Sequence, residues 1–104
     1  MILIPLLTIP RQELQVALEQ SIFDITLIAI QDMMYANVVK DGITLISGTR
    51  CTASAPLLPY PSLEGLTGNL FFITQNDANP WYSEFGITQQ LIYATYAEVQ
   101  AERA

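Results

Sequence analysis

The sequence predicts an all-β fold, a small antiparallel β-barrel or sandwich of six to seven short strands with a short helical C-terminal tail. Three observations predict it. Leu14, Val16 and Leu18 alternate strictly with Glu13, Gln15, Ala17 and Glu19, which is the period of a half-buried strand. Turn signals recur between strand-length runs, the clearest at Asp41-Gly42, where glycine supplies the positive φ of a tight hairpin. Pro56, Pro59 and Pro61 deny residues 53–67 both a helix and a central strand. Short strands separated by turns at regular spacing are the pattern of small β-barrels and sandwiches.

The elements follow in order. Pro5 and Pro10 hold the apolar N-terminal segment extended and end a first short strand or arm at Pro10. Gln12 to Glu19 is a strand; an amphipathic-helix reading of Arg11 to Gln20 fits less well than the alternation. A turn at Gln20-Ser21 leads to a strand over Ile22–Ile30, with Phe23, Ile25, Leu27 and Ala29 on one face. Ile28 and Ile30 on its other face predict cover on both sides of the second half. Gln31-Asp32 breaks the run, and Met33 to Lys40 forms the next strand. Beyond Asp41-Gly42, Ile43 to Ile46 returns, Gly48 permits a bend, and Thr49 to Thr52 makes a separate short strand holding Cys51. Residues 53–67 read as a packed closing loop punctuated by Leu57, Leu58, Tyr60, Leu63 and Leu66. Asn69 to Thr74 is an aromatic strand, Gln75 to Gly86 a long loop, and Ile87 to Tyr96 the last strand. Residues 97–104 favour helix, but so short a helix holds only if it docks.

At 104 residues the chain is one domain. Surface scaling gives roughly 5,800 Å² exposed when folded and about 65% of the unfolded surface buried, enough for a core without disulfides or metal. Apolar residues make up 51% and charged residues only 13%, so some apolar surplus must remain at the surface, where another subunit would cover it. The net charge is −6, and the basic residues Arg11, Lys40, Arg50 and Arg103 are scattered. Phosphate binding needs clustered cations, so direct nucleic-acid binding is disfavoured. The N-terminus is apolar but lacks a basic start and a cleavage site, and is too short to span a bilayer. The sequence predicts no membrane association and a chain made in the cytoplasm.

The residues offer little chemistry. There is no histidine, which removes histidine-activated nucleophiles and histidine metal ligands. Cys51 is alone and reads as a small buried hydrophobe. Asp24, Asp32 and Asp41 are the candidate acids, yet paired-carboxylate catalysis needs two held together in a cleft; each reads first as a turn or solvated residue. Asn76-Asp77-Ala78-Asn79-Pro80 offers oxygens but lacks the glycine and bidentate glutamate of a calcium loop. No catalytic, cofactor-binding or metal-binding residue is therefore expected, and no enzyme. Candidate interface residues are Trp81, Tyr82 and Phe85, with Leu57, Leu58 and Tyr60 of the closing loop. For the aromatic trio, plugging the end of the core and contacting a subunit stand as equal readings. A stand-alone ligand- or peptide-binding β-module built on the same loop is the alternative.

The stretch from Gly68-Asn69-Leu70-Phe71-Phe72-Ile73-Thr74 through Asn79-Pro80-Trp81-Tyr82-Ser83-Glu84-Phe85-Gly86 to Leu91-Ile92-Tyr93 resembles the small baseplate plug family of contractile-tailed phages, cyanophage plugs among them. That family shows a similar aromatic strand, an Asp-Pro-x-Tyr loop, a Leu-Gly pair and a Leu-x-Tyr strand. Gly48-Thr49-Arg50-Cys51, Pro56-Leu57-Leu58-Pro59-Tyr60, Ile4-Pro5-Leu6 and the alternating Leu14, Val16 and Leu18 extend the likeness over nearly the whole chain. Phe85 stands where leucine is usual and Asn79 where aspartate is. The resemblance implies a plug-like β domain over residues 1–98 and an added tail over 99–104. It implies a virion structural protein in the tail baseplate, at the junction of hub and tail tube, around the lumen. Its partners would be the hub, the tail tube and the tube initiator, together with copies of itself in a ring, a hexamer before a trimer. The acidic surface would let DNA pass without adhering.

Overall fold

The computed structural model describes residues 1–103. Its strands are β1 (Ile2–Ile4), β2 (Arg11–Leu18), β3 (Ser21–Ile30), β4 (Met33–Lys40), β5 (Ile43–Arg50), β6 (Asn69–Ile73) and β7 (Gln90–Ala94), with a one-turn helix α1 (Pro61–Glu64) and a terminal helix α2 (Tyr96–Arg103). A four-stranded antiparallel sheet of order β2-β3-β4-β5 faces a three-stranded antiparallel sheet of order β1-β7-β6. The sheets do not close into a barrel; the architecture is a sandwich.

Alternation builds the core. β3 turns Phe23, Ile25 and Leu27 inward, β4 contributes Met34, Ala36 and Val38, and the facing sheet answers with Leu70, Phe72, Leu91, Tyr93 and Ile4. The layers meet where the Phe23 and Tyr93 rings pack edge to face, their centroids 5.8 Å apart. The exposed surface, 5906 Å², matches the value expected from chain mass. Cys51 is buried in this core as expected.

The turns show where sequence chemistry sufficed. Asp41 and Gly42 both have positive φ (50° and 83°), the requirement of a type I′ hairpin. Asp41 Oδ1 also accepts the Ile22 N–H at 2.8 Å, so the turn is tied to the neighbouring strand, and this donor holds the Asp41 carboxyl below the usual carboxylate range. The β2–β3 turn is Glu19-Gln20, one residue earlier than expected, with φ of 49° and 68° and no glycine. Its conformation is held from outside, because Glu19 Oε1 accepts the Tyr93 hydroxyl and the Tyr96 N–H.

Several expectations are corrected. Residues 43–52 do not divide into two strands; β5 continues through Gly48 (φ 65°) by a bulged register, and the Gly48 N–H donates to Asn37 Oδ1 at 2.6 Å across it. The final strand begins at Gln90 rather than Ile87, since the N–H groups of Ile87, Thr88 and Gln89 all fold back onto the Glu84 carbonyl. Pro61 starts a single helical turn, where its missing N–H costs nothing. The outer face of β3 stays open, with Ile30 52% exposed, because no second layer lies over it. The tail meets the condition set for it and docks: Thr95 and Glu98 form a reciprocal capping box and Val99 is buried.

Candidate interaction surface

The loop between β6 and β7 carries the aromatic residues that the sequence singled out, and the structure separates them. Phe85 is 1% exposed and stacks on Phe72 with centroids 5.6 Å apart. Leu57 and Leu58 are likewise in the core, drawn in because the Leu57 N–H pairs with the Leu70 carbonyl and the Leu58 N–H with Asn69 Oδ1. These three are not surface residues of the single chain; they plug the sandwich. Trp81 and Tyr82 are half-buried, their rings 4.9 Å apart and tilted by 47°, one side of the pair against the core. Tyr60 is 65% exposed on the closing loop.

The Trp81 loop is tied down by one side chain. Gln89 is buried, its Oε1 accepts the Trp81 N–H at 2.8 Å and its Nε2 donates to the Asn79 carbonyl at 3.1 Å. The same side chain thus satisfies two backbone groups of an irregular segment, which would otherwise be costly to bury. Gln12 does the equivalent for the neighbouring loop, pairing both ways with the Leu7 backbone.

Strand direction gathers the loops at residues 5–10, 30–33 and 74–89 at one end of the sandwich, and an added Cβ on Gly86 would meet the Leu6 carbonyl at 3.9 Å. Leu7, Ile9, Ile30 and Ile87 are exposed on these loops, and Met1, Ile22, Ile43 and Leu66 at the opposite end. Sequence reasoning missed the first four. The sequence places Ile30 on a strand face expected to be covered, Ile87 at the start of the last strand, and Leu7 and Ile9 in an apolar extended segment.

A second group was also missed. The Glu64 carboxylate is buried and accepts two hydrogen bonds from the Arg103 guanidinium (2.6 and 2.9 Å) and one from Asn69 Nδ2 (2.5 Å). This pairing raises the Arg103 pKa and pins the last turn of α2. Nothing in the spacing of residues 64, 69 and 103 signals it. Lys40 Nζ completes the corner by donating to the Glu64 carbonyl and to Thr67 Oγ1.

The candidate acids are not brought together. Asp24 accepts from Gln15 in mid-sheet, Asp41 caps a hairpin, and Asp32 lies in the turn at the other end. Among the described residues no cluster of three or more acidic, cysteine or histidine side chains is placed to hold a metal, and no helix is long and apolar enough to cross a membrane.

The fold defines a small antiparallel β-sandwich whose loops leave large apolar side chains exposed. The family model described as cyanophage baseplate Pam3 plug gp18 matches residues 1–97, and the chain belongs to that family of phage baseplate plug proteins. No curated protein matches the chain.

Proposed function

We propose that this protein is a structural subunit of a contractile phage tail, seated where the central hub meets the tail tube and assembling as a ring or plug around the lumen. The observation that carries this reading is the apolar surface left exposed, here taken at the end where the loops holding Leu7, Ile9, Ile30 and Ile87 and the Trp81–Tyr82 pair gather. Leaving four large aliphatic side chains in water is unfavourable, and covering each contributes about 1–2 kcal/mol. Membership of a baseplate plug family makes other baseplate components the natural cover. In a ring, the same end of one copy meets a different patch of the next, and Tyr60, on its own loop, is a candidate for that second patch. A hexamer suits the symmetry of a tube-like tail, with a trimer as the other arrangement. Hub, tail tube and tube initiator are the proposed partners. The formal charge of −6 suits a lumen wall past which DNA moves without sticking.

The test is electron microscopy of intact tails together with mass measurement of the purified chain mixed with its hub and tube proteins. The reading requires density for this sandwich on the tail axis with its apolar end against a neighbour. A chain that stays monomeric in the mixture and is absent from the particle would end it. The alternative of a free-standing ligand-binding module loses one of its three aromatic residues, because Phe85 is in the core.

A further inference from the structure

We infer that the edge of β2 is an acceptor for an extended segment of another protein, one that alternates apolar and basic residues. The inference specifies one contact within the proposed assembly, and its physical basis is the β2 edge itself.

Each sheet has two edges, and three of the four are protected. β6 is covered, since the Ser54 and Leu57 N–H groups donate to its Phe72 and Leu70 carbonyls. β5 is bulged twice, which breaks the row a new strand would follow. β1 is only three residues long. β2 has neither cover nor bulge and pairs with β3 in one unbroken register over eight residues.

The parity of that pairing identifies the free groups. A two-residue hairpin closes on a hydrogen-bonded pair, here Leu18 and Ser21, and every second residue back along β2 bonds to β3. The Ala29 N–H bonded to the Pro10 carbonyl at 2.7 Å sits in the same phase and confirms it. The N–H and C=O groups of Arg11, Glu13, Gln15 and Ala17 therefore point away from the sheet, and no other described residue bonds to them.

Side chains define the partner's chemistry. On the core side of β2, Leu14 and Val16 are only half-buried, open at the flank where an added strand would lie. The outer side carries Glu13 and Asp24 around a depression lined also by Gln15, Thr26 and Val39, with Arg11 the one nearby cation, 3.9 Å from Glu13. An incoming strand thus needs apolar residues on one face, to cover Leu14 and Val16, and lysine or arginine on the other. A second copy of this chain would instead bring its own Glu13 to an already acidic face.

The experiment is amide hydrogen exchange by NMR on the full chain, with a blocked octapeptide alternating valine and lysine as the probe. In the free protein at low concentration the amides of Arg11, Glu13, Gln15 and Ala17 exchange quickly. At millimolar peptide they slow by about tenfold or more, while a peptide N-methylated at alternate residues has no effect and a valine–glutamate peptide has less. Gln15→Pro, which removes an outward donor at an edge, abolishes the effect. Should that variant not fold, the peptide comparison on the native chain still decides. Protection of these amides in the dilute free protein, or no response to the lysine peptide, overturns the inference. Protection that grows with protein concentration alone overturns the choice of partner in favour of a second copy. None of these outcomes depends on where the protein sits in a tail, so failure here and failure of the plug reading are separable.

Discussion

The Tyr93 hydroxyl donates to Glu19 Oε1 at 2.5 Å and accepts the Gly68 N–H at 2.6 Å, which ties the last strand of one sheet to the first hairpin of the other. Tyr93 is fully buried, and burial followed by the Glu19 contact pushes its phenol well above the usual tyrosine range. The Leu-x-Tyr signature of the final strand is thus a clamp between layers, with Leu91 and Tyr93 both turned into the core. Glu19 holds its left-handed turn because the tyrosine and the Tyr96 N–H occupy the same carboxylate oxygen.

Replacing Tyr93 with phenylalanine should cost about 1–3 kcal/mol, since the buried Gly68 N–H loses its acceptor while the ring still fills its place. Urea unfolding checks this: the midpoint falls and the slope stays near that of the native chain. An unchanged midpoint would mean that water replaces the hydroxyl without loss.

Gly68→Ala should be more damaging. A Cβ there would lie 1.7 Å from the Ala94 carbonyl oxygen, a backbone atom that cannot move without breaking the β6–β7 ladder. The expected loss is about 3 kcal/mol or more, the upper range for overpacking, read as lowered soluble yield and a lowered melting temperature. Gly42→Ala meets nothing within 4 Å and pays only for its positive φ, so it serves as the milder comparison.

Stability should fall in alkali through Cys51. Burial raises its thiol from 9.0 to about 12, so between those values the unfolded chain has released a proton that the native chain keeps. The stabilising contribution is complete below pH 9 and is lost as pH rises towards 12, at up to about 1.4 kcal/mol per pH unit. Comparing the slope of native chain and Cys51→Ala between pH 9 and 10 isolates the effect, because the tyrosine contribution, Tyr93 included, is common to both. A variant with the same slope as the native chain would remove Cys51 as the source.

Helix α2 should loosen when Arg103 is replaced by glutamine. The guanidinium is the cation paired with the buried Glu64, and Val99 is the helix's buried side chain. Faster exchange of the α2 amides, with β3 and β4 unchanged, is the expected result. Glu64→Gln combined with Arg103→Gln should recover part of the stability lost in the single Arg103 variant, because no unpaired buried charge remains.

Leu7→Asp with Ile87→Asp should leave the fold intact and prevent incorporation into tails. Both side chains are more than half exposed (63% and 70%), so the monomer loses little, whereas an interface would have to bury two charges. Circular dichroism checks the first part and particle composition the second. Normal incorporation would exclude this end as the contact.

The strands of the large sheet were legible because β2, β3 and β4 alternate cleanly and Asp41-Gly42 permits a tight hairpin. The aromatic strand, the long loop and the family likeness were legible for the same reason, being carried by consecutive residues. The sequence alone therefore determined an acidic all-β plug protein with an apolar surplus.

Which apolar residues form that surplus was decided in three dimensions. Of the two readings open for Phe85, the single chain has it plugging the core, where Leu57 and Leu58 also lie, while Leu7 of the extended N-terminal segment and Ile87, expected to begin the last strand, are left outside. Burial depends on what a second sheet brings opposite each side chain, and period-2 alternation carries no record of that. The Glu64–Arg103 pair, the Tyr93–Glu19 clamp and the choice of sandwich over barrel join residues far apart in the chain. Local propensity cannot encode such pairings; only the packed layers bring those groups within hydrogen-bonding distance.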